Sequence, residues 1–183
     1  MRVHLVRHAA VAVRAGAPSE QWHLSPEGRT AAEALAEDPR WASVAFVHTS
    51  PEPKAVATAQ RIAARHGLAI VIERDLREVD GRTWTPDDYR EVVRRYLAGE
   101  VVDSWEARDA ARERIRLCIE RIAAQQAGDE IAIVSHGLVL TLYVSDLLGL
   151  DAAGAHDLWS GMRFPDVAIV DPRARQVERA FAS

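Results

Sequence analysis

The chain is 183 residues long, 48% hydrophobic and 27% charged, with a formal net charge of −4. That length and composition suit one globular domain with a substantial core and exclude two domains of ordinary size. The 23 Lys and Arg are scattered without a long basic block, which excludes a dedicated nucleic-acid binder.

No apolar run approaches the roughly 20 residues that span a bilayer, and Arg7 and His8 interrupt the N-terminal apolar run before it could serve as a secretory leader. A cytoplasmic protein with no membrane partner is expected. The single cysteine, Cys118, has no internal disulfide partner. Its helical spacing with Ile115, Ile119 and Ile122 marks a core thiol.

Arg2 to Arg7 is rich in Val and Leu and predicts a strand covered on both faces, ending in the charged pair Arg7-His8. Ala9 to His23 has small residues, Gly16 and Pro18 and no periodicity, so it predicts a loop over the strand end. Ser25-Pro26 opens a helix, with Ser as N-cap and Pro at the first helical position, and Asp38-Pro39 closes it. Val44 to His48 predicts a second strand. Ser50-Pro51 repeats the cap-then-proline device ahead of a helix from Lys54 to His66, closed by Gly67. Ala69 to Ile72 predicts a third strand, and Asp75 to Trp84 a polar, turn-rich stretch.

Thr85-Pro86-Asp87-Asp88 predicts a helix start running to Leu97, broken by Gly99. Asp103 and Glu106 stand at capping-box spacing before the longest helix, which Gly128 follows. Ile131 to Ser135 is almost continuously apolar and predicts a central strand. Leu138 to Leu148 predicts a buried helix ended by Gly149. Asp157 to Pro165 supports no assignment, while Val167 to Val170 and Gln176 to Phe181 predict two last strands joined through Asp171-Pro172.

Strands alternating with helices predict an α/β fold with a mostly parallel sheet and helices on both faces, and residues 79–102 predict an insertion over one end of it. Ligands of such sheets sit beyond the carboxyl ends of the strands. Arg7-His8, His48-Thr49-Ser50 and Ser135-His136-Gly137 all fall at such ends. His23, His48, His66 and His156 lack the spacing of metal ligands.

Five motifs, in order, carry a resemblance. They are Arg7-His8-Ala9, then Leu24-Ser25-Pro26-Glu27-Gly28, then Thr49-Ser50-Pro51-Glu52-Pro53-Lys54-Ala55-Val56-Ala57-Thr58-Ala59, then Leu76-Arg77-Glu78, and His136-Gly137. The chain resembles the histidine phosphatase superfamily with its phosphoglycerate mutase-like, three-layer α/β/α fold, in which residues 1–183 form one domain and 79–102 a cap over the active site.

The resemblance implies a metal-independent phosphatase without a cofactor, acting on a small phosphorylated metabolite. His8 would attack phosphorus and form a phosphohistidine. Arg7 would hold phosphate oxygens through its planar fork, and Lys54 would add a point charge at a helix start. His136 would stabilise developing charge, and Glu78, with Asp80 as its substitute, would act as general acid and base. Two departures stand out. Ala9 replaces the usual Gly and is strained if its φ is positive, and Lys54 replaces the usual Arg, losing a bidentate fork. The alternatives are a phosphoglycerate-type mutase, or a non-catalytic phospho-ligand binder motivated by those departures. Nothing in the sequence fixes the oligomeric state.

Overall fold

The computed structural model describes residues 1–14, 16–81, 88–126 and 130–182. Six strands form one sheet: β1 (Val3–Arg7), β2 (Val44–Thr49), β3 (Ala69–Ile72), β4 (Glu130–Ser135), β5 (Asp166–Asp171) and β6 (Gln176–Arg179), in the order β3-β2-β4-β1-β5-β6. β3, β2, β4 and β1 run parallel to one another, and β5 and β6 add antiparallel pairings at one side. The sheet is therefore mostly parallel, as the alternating pattern predicts. β1 lies between β4 and β5, which explains why every one of its residues is buried.

Helices α1 (Pro26–Ala36) and α2 (Pro53–His66) pack together on one face, where Trp41, Val47, Ile62 and Val134 belong to one apolar cluster. The other face carries α4 (Arg108–Gln125) and α5 (Gly137–Leu148), with Leu5, Ile119, Ile133 and Tyr143 in the largest cluster. Cys118 sits in that cluster, and burial raises its thiol to about 11. This is an inert core thiol.

Local chemistry sets several boundaries where the sequence puts them. Ser25 caps α1 by accepting from the Gly28 N–H at 3.0 Å. Gly67 and Gly149 end α2 and α5 in the left-handed conformation at φ 66° and 65°.

Two expectations need correction. Ser50-Pro51 does not cap α2; Glu52 holds the N-cap position, Pro53 is the first helical residue, and the Ser50 hydroxyl accepts from the Glu52 N–H instead. Asp103 and Glu106 form no capping box. α4 begins only at Arg108, because Ser104 adopts φ 66° and Glu106 is engaged by Arg114 at 2.6 Å. The first helix stops at Ala36, ahead of Asp38-Pro39 as expected, and a separate 3-10 turn at Pro39–Ser43, capped by Asp38, leads to β2. The stretch without an assignment, from Asp157 on, begins in the middle of α6 (Ala152–Gly161), which Asp151 caps through the Gly154 N–H.

The expected helix start at Thr85-Pro86-Asp87, with Trp84, and the expected stop at Gly128 lie outside the described residues. Beyond the former, α3 (Tyr89–Leu97) packs against α6, and Val79, Tyr96, Leu97 and Ala155 share a small cluster with Leu138 of α5. No helix among the described residues is long and apolar enough to cross a membrane.

Candidate active site

The carboxyl ends of β1, β2 and β4 bring three segments to one edge of the sheet. The His8 N–H donates to Ser135 O at 3.0 Å, and the Ser50 N–H donates to Val134 O at 3.0 Å. The strand register thus continues one residue past each strand and fixes the backbone of His8 and Ser50. Beside these ends lies a cavity of about 290 Å³ whose floor is formed by Arg7, His8, Lys54, Glu78 and Gly137.

His8 is buried, and its Nδ1 lies 2.8 Å from Ala9 O. A carbonyl oxygen only accepts, so Nδ1 carries the proton and the lone pair of the neutral ring sits on Nε2. Burial holds the imidazole well below its ordinary range, and the charges of His136, Lys54 and Arg7 push the same way, against the hydrogen bond to Ala9. His8 is therefore neutral at physiological pH, with Nε2 unprotonated.

Ala9 is not at positive φ. Its N–H donates to Thr58 Oγ1 at 3.1 Å and its methyl group packs with Leu24 and Ala32. The departure from Gly is accommodated without strain. Thr58 also donates to Lys54 O, so one hydroxyl ties the segment after the nucleophile to the helix that bears the lysine. The Leu-Ser-x-x-Gly motif has a similar cause. The Ser25 N–H donates to Ala10 O at 3.0 Å, and a Cβ on Gly28 would stand only 2.0 Å from that oxygen. Only glycine lets α1 close on the loop that follows His8.

Arg7 is buried with its guanidinium pressed against the α5 N-terminus. Its Nη1 donates to Met162 O at 2.9 Å, and its Cζ lies 3.4 Å from the centroid of the Phe164 ring. Nε is buried and has no hydrogen-bond partner among the described residues. Burial lowers the group to about 10, opposed by Glu78, Tyr89 and Asp166, so it stays charged at neutral pH. A Cβ at Gly137 would meet Arg7 Nε at 2.9 Å and Cζ at 3.0 Å. Gly137→Ala is accordingly expected to displace the guanidinium and lower kcat/KM by about 10²-fold, since a shift near 1 Å in a positioning group costs that much. Steady-state kinetics on the refolded variant, with circular dichroism as the check on folding, would measure it.

Lys54, at the second position of α2, is buried. Its Nζ donates to Ser19 O at 2.7 Å and to Glu52 Oε2 at 2.5 Å. An ammonium has three donors, so one remains for a ligand oxygen. Glu52, also buried, uses its other oxygen to accept from the Glu78 N–H at 2.8 Å and stands 3.2 Å from His136 Nε2. One carboxylate thus holds the lysine, the second imidazole and the backbone of the acid. Sequence reasoning missed Glu52. The only signal is that an acid accompanies Lys54, which stands two residues on.

His136 is wholly buried and is the N-cap residue of α5; its Nε2 lies 2.7 Å from Ser50 Oγ, and its ring centroid is 5.2 Å from that of His8. It stands behind the floor and beside the nucleophile. The Glu78 carboxylate accepts from the Val79, Leu138 and Val139 N–H groups at 2.9 to 3.1 Å, two of them orphan donors of the α5 N-terminus. Asp80 is exposed and paired with Arg77 at 2.8 Å, and it does not line the cavity. His48 is buried 3.4 Å from Glu73 and also lies off the cavity. Arg14 is exposed. Among the described residues no group of three or more His, Cys, Asp or Glu could hold a metal ion.

A sequence model described as the histidine phosphatase superfamily (branch 1) matches residues 3–163. The uncharacterized protein Rv0525 of Mycobacterium tuberculosis is 32% identical over 158 residues, covering 79% of this chain and 78% of its own. A probable phosphoglycerate mutase, GpmB of Photorhabdus laumondii, is 27% identical over 165 residues, covering 83% and 77%. Among solved structures, a mycobacterial glucosyl-3-phosphoglycerate phosphatase superposes with a TM-score of 0.79 at 21% identity, covering 100% of this chain and 99% of its own.

Proposed function

This chain belongs to the histidine phosphatase superfamily, and from that premise we propose that it is a metal-independent phosphatase of the cytoplasm, hydrolysing a small phosphomonoester through a phosphohistidine at His8. The observation that carries the reading is the tautomer. The Ala9 carbonyl holds the Nδ1 proton, which leaves Nε2 unprotonated at a cavity floor shared with two cations, Arg7 and Lys54.

The chemistry runs in two displacements. His8 Nε2 attacks phosphorus in line, the P–N bond forms, and the P–O bond to the alcohol breaks. Arg7 and the remaining donor of Lys54 take up charge on the equatorial oxygens. The His136 ring, held by Ser50 and Glu52, keeps the nucleophile's neighbourhood positive.

Glu78 protonates the departing alkoxide. Water then attacks the phosphohistidine, Glu78 takes its proton, and phosphate leaves with His8 restored. Help of this kind contributes about 10²–10⁴-fold. The proton that Glu78 gives to the leaving oxygen arrives with the substrate monoanion. A screen of phosphorylated metabolites with wild type and His8→Ala in parallel, with and without EDTA, tests the reading; EDTA-sensitive turnover would overturn the metal-independent mechanism.

The relative described as a probable phosphoglycerate mutase supports a second reading, transfer of the same phosphoryl group to another acceptor. Trapped phosphohistidine that persists until an acceptor alcohol is added, with negligible hydrolysis, would favour it.

The lowered His8 has a consequence for pH. Its neutral form is the nucleophile, so a depressed pKa keeps it active to pH values well below about 6.5, where an ordinary histidine protonates. For two esters of different second ionisation, the acid limb of kcat/KM should follow the ester. A limb fixed at about 6.5 for both would mean that His8 titrates as an unperturbed imidazole.

A further inference from the structure

Above the polar floor, the walls of the cavity are apolar, and they come from four separate parts of the chain. Val11, Val13 and Trp22 are supplied by the loop after His8, Tyr89 by α3, Trp159 by α6, and Phe164 by the segment between α6 and β5. The loop is folded into a wall by pairing of Val11 with Leu24 and by the Ala12 N–H donating to His23 O. Trp22 spends its indole N–H on Ala17 O at 3.0 Å. On the opposite side Tyr89 and Trp159 pack ring to ring at 6.0 Å, and Phe164 lies over Arg7 with its ring 5.6 Å from that of His8. Phe164 is 43% exposed and Val13 53%, a cost in water that a ligand would relieve.

The charges tell the same story. Among the described residues lining the cavity, the cations are Arg7 and Lys54, and both are at the floor. Each faces a carboxylate. Lys54 is paired with Glu52, and Glu78 lies in the field of Arg7. A phosphoryl dianion already claims both cations, and a second anionic group on the same substrate would meet apolar wall or Glu78.

We infer that the alcohol carried by the phosphoryl group is a flat aromatic or otherwise apolar group without a second negative charge, seated between the Trp22 loop and the Tyr89–Trp159–Phe164 wall. This rests on the proposed function for the position of the phosphoryl group and adds the class of its ester. The cavity, about 290 Å³, lies at the small end of ligand pockets, which run from roughly 300 to 1,000 Å³. One ring or a fused pair is the size it takes.

Aryl phosphates would confuse fit with leaving-group reactivity, so the test compares alkyl esters of similar intrinsic reactivity: benzyl phosphate, glycerol 3-phosphate and 3-phosphoglycerate. Benzyl phosphate should exceed glycerol 3-phosphate by about tenfold or more in kcat/KM, chiefly through KM, as expected for one buried ring. It should exceed 3-phosphoglycerate by about a hundredfold, because a carboxylate finds no further cation among the described residues that line the cavity. Trp159→Ala should reduce the benzyl-to-glycerol ratio severalfold, and Trp159→Phe should restore most of it. A glycerol or glycerate ester used as well as the benzyl ester would overturn the inference.

If none of the three is hydrolysed, the phosphatase reading fails separately, and binding decides the ester class. Tryptophan fluorescence titration should then show benzylphosphonate binding at least about tenfold more tightly than phosphonoacetate. Equal, reversed or undetectable binding would overturn the inference.

Discussion

Replacing His8 by alanine is expected to lower kcat/KM for every phosphomonoester the protein hydrolyses by about 10⁴-fold or more, because the covalent route loses its only nucleophile and the surrounding groups have no partner to act with. The fold should survive. The side chain's hydrogen bond is to the carbonyl of the next residue, and the segment is held independently by the His8 N–H on Ser135 O and the Ala9 N–H on Thr58. Circular dichroism should be unchanged and the melting temperature only modestly shifted. Brief exposure to a labelled ester followed by alkaline quench should give acid-labile label on wild type and none on the variant. Activity within tenfold of wild type in His8→Ala would end the phosphohistidine mechanism.

The second large effect belongs to Glu52. Glu52→Gln keeps an acceptor for the Glu78 N–H but removes the negative charge facing the Lys54 ammonium and the His136 ring, both nearly inaccessible to water. Breaking a buried pair from one side leaves an uncompensated charge and costs about 3–5 kcal/mol. For a chain of this size that lowers the melting temperature by about 6–20 °C. Stability alone would not separate a positioning role from a structural one. The double variant Glu52→Gln/Lys54→Gln removes both charges and should recover most of the stability. It should not recover kcat/KM, because the Lys54 ammonium is gone from the floor and the His136 ring behind it has lost the carboxylate that held it. A cycle with no coupling between the two positions, or full activity in the double variant, would show that the pair is not the support of the floor.

Much of the fold was legible because its signals are short in sequence. The Val-rich run before Arg7, the Ser25 cap and the left-handed Gly67 and Gly149 are each decided within about one helical turn. The floor was legible for a different reason. Arg7, His8, Lys54 and Glu78, with His136 behind them, stand in motifs whose order matches the family. β1, β2 and β4 then end at one edge, so their terminal residues converge once the strands pair.

Local reasoning failed where a distant partner outbid a nearby one. The Asp103–Glu106 spacing fits a capping box, but Glu106 is claimed by Arg114. Ser50 precedes a proline like a cap, but its hydroxyl is needed by His136, 86 residues away. α6 went unread because Ala, Gly and Ser dilute its apolar face, and it is held by packing on α5 and α3.

The sequence by itself determined an α/β chain of six strands' worth of pattern, an Arg-His pair placed at a strand end, and the family to which it belongs. Only the tertiary structure decided which imidazole nitrogen is available, that Ala9 is unstrained, and that Glu52 joins Lys54 to His136. It also decided that aromatic side chains from four segments wall the cavity. The physical reason is range. Helix caps and strand patterns are settled by neighbours along the chain, whereas proton positions, buried charge pairs and cavity walls are settled by groups brought together from tens of residues apart.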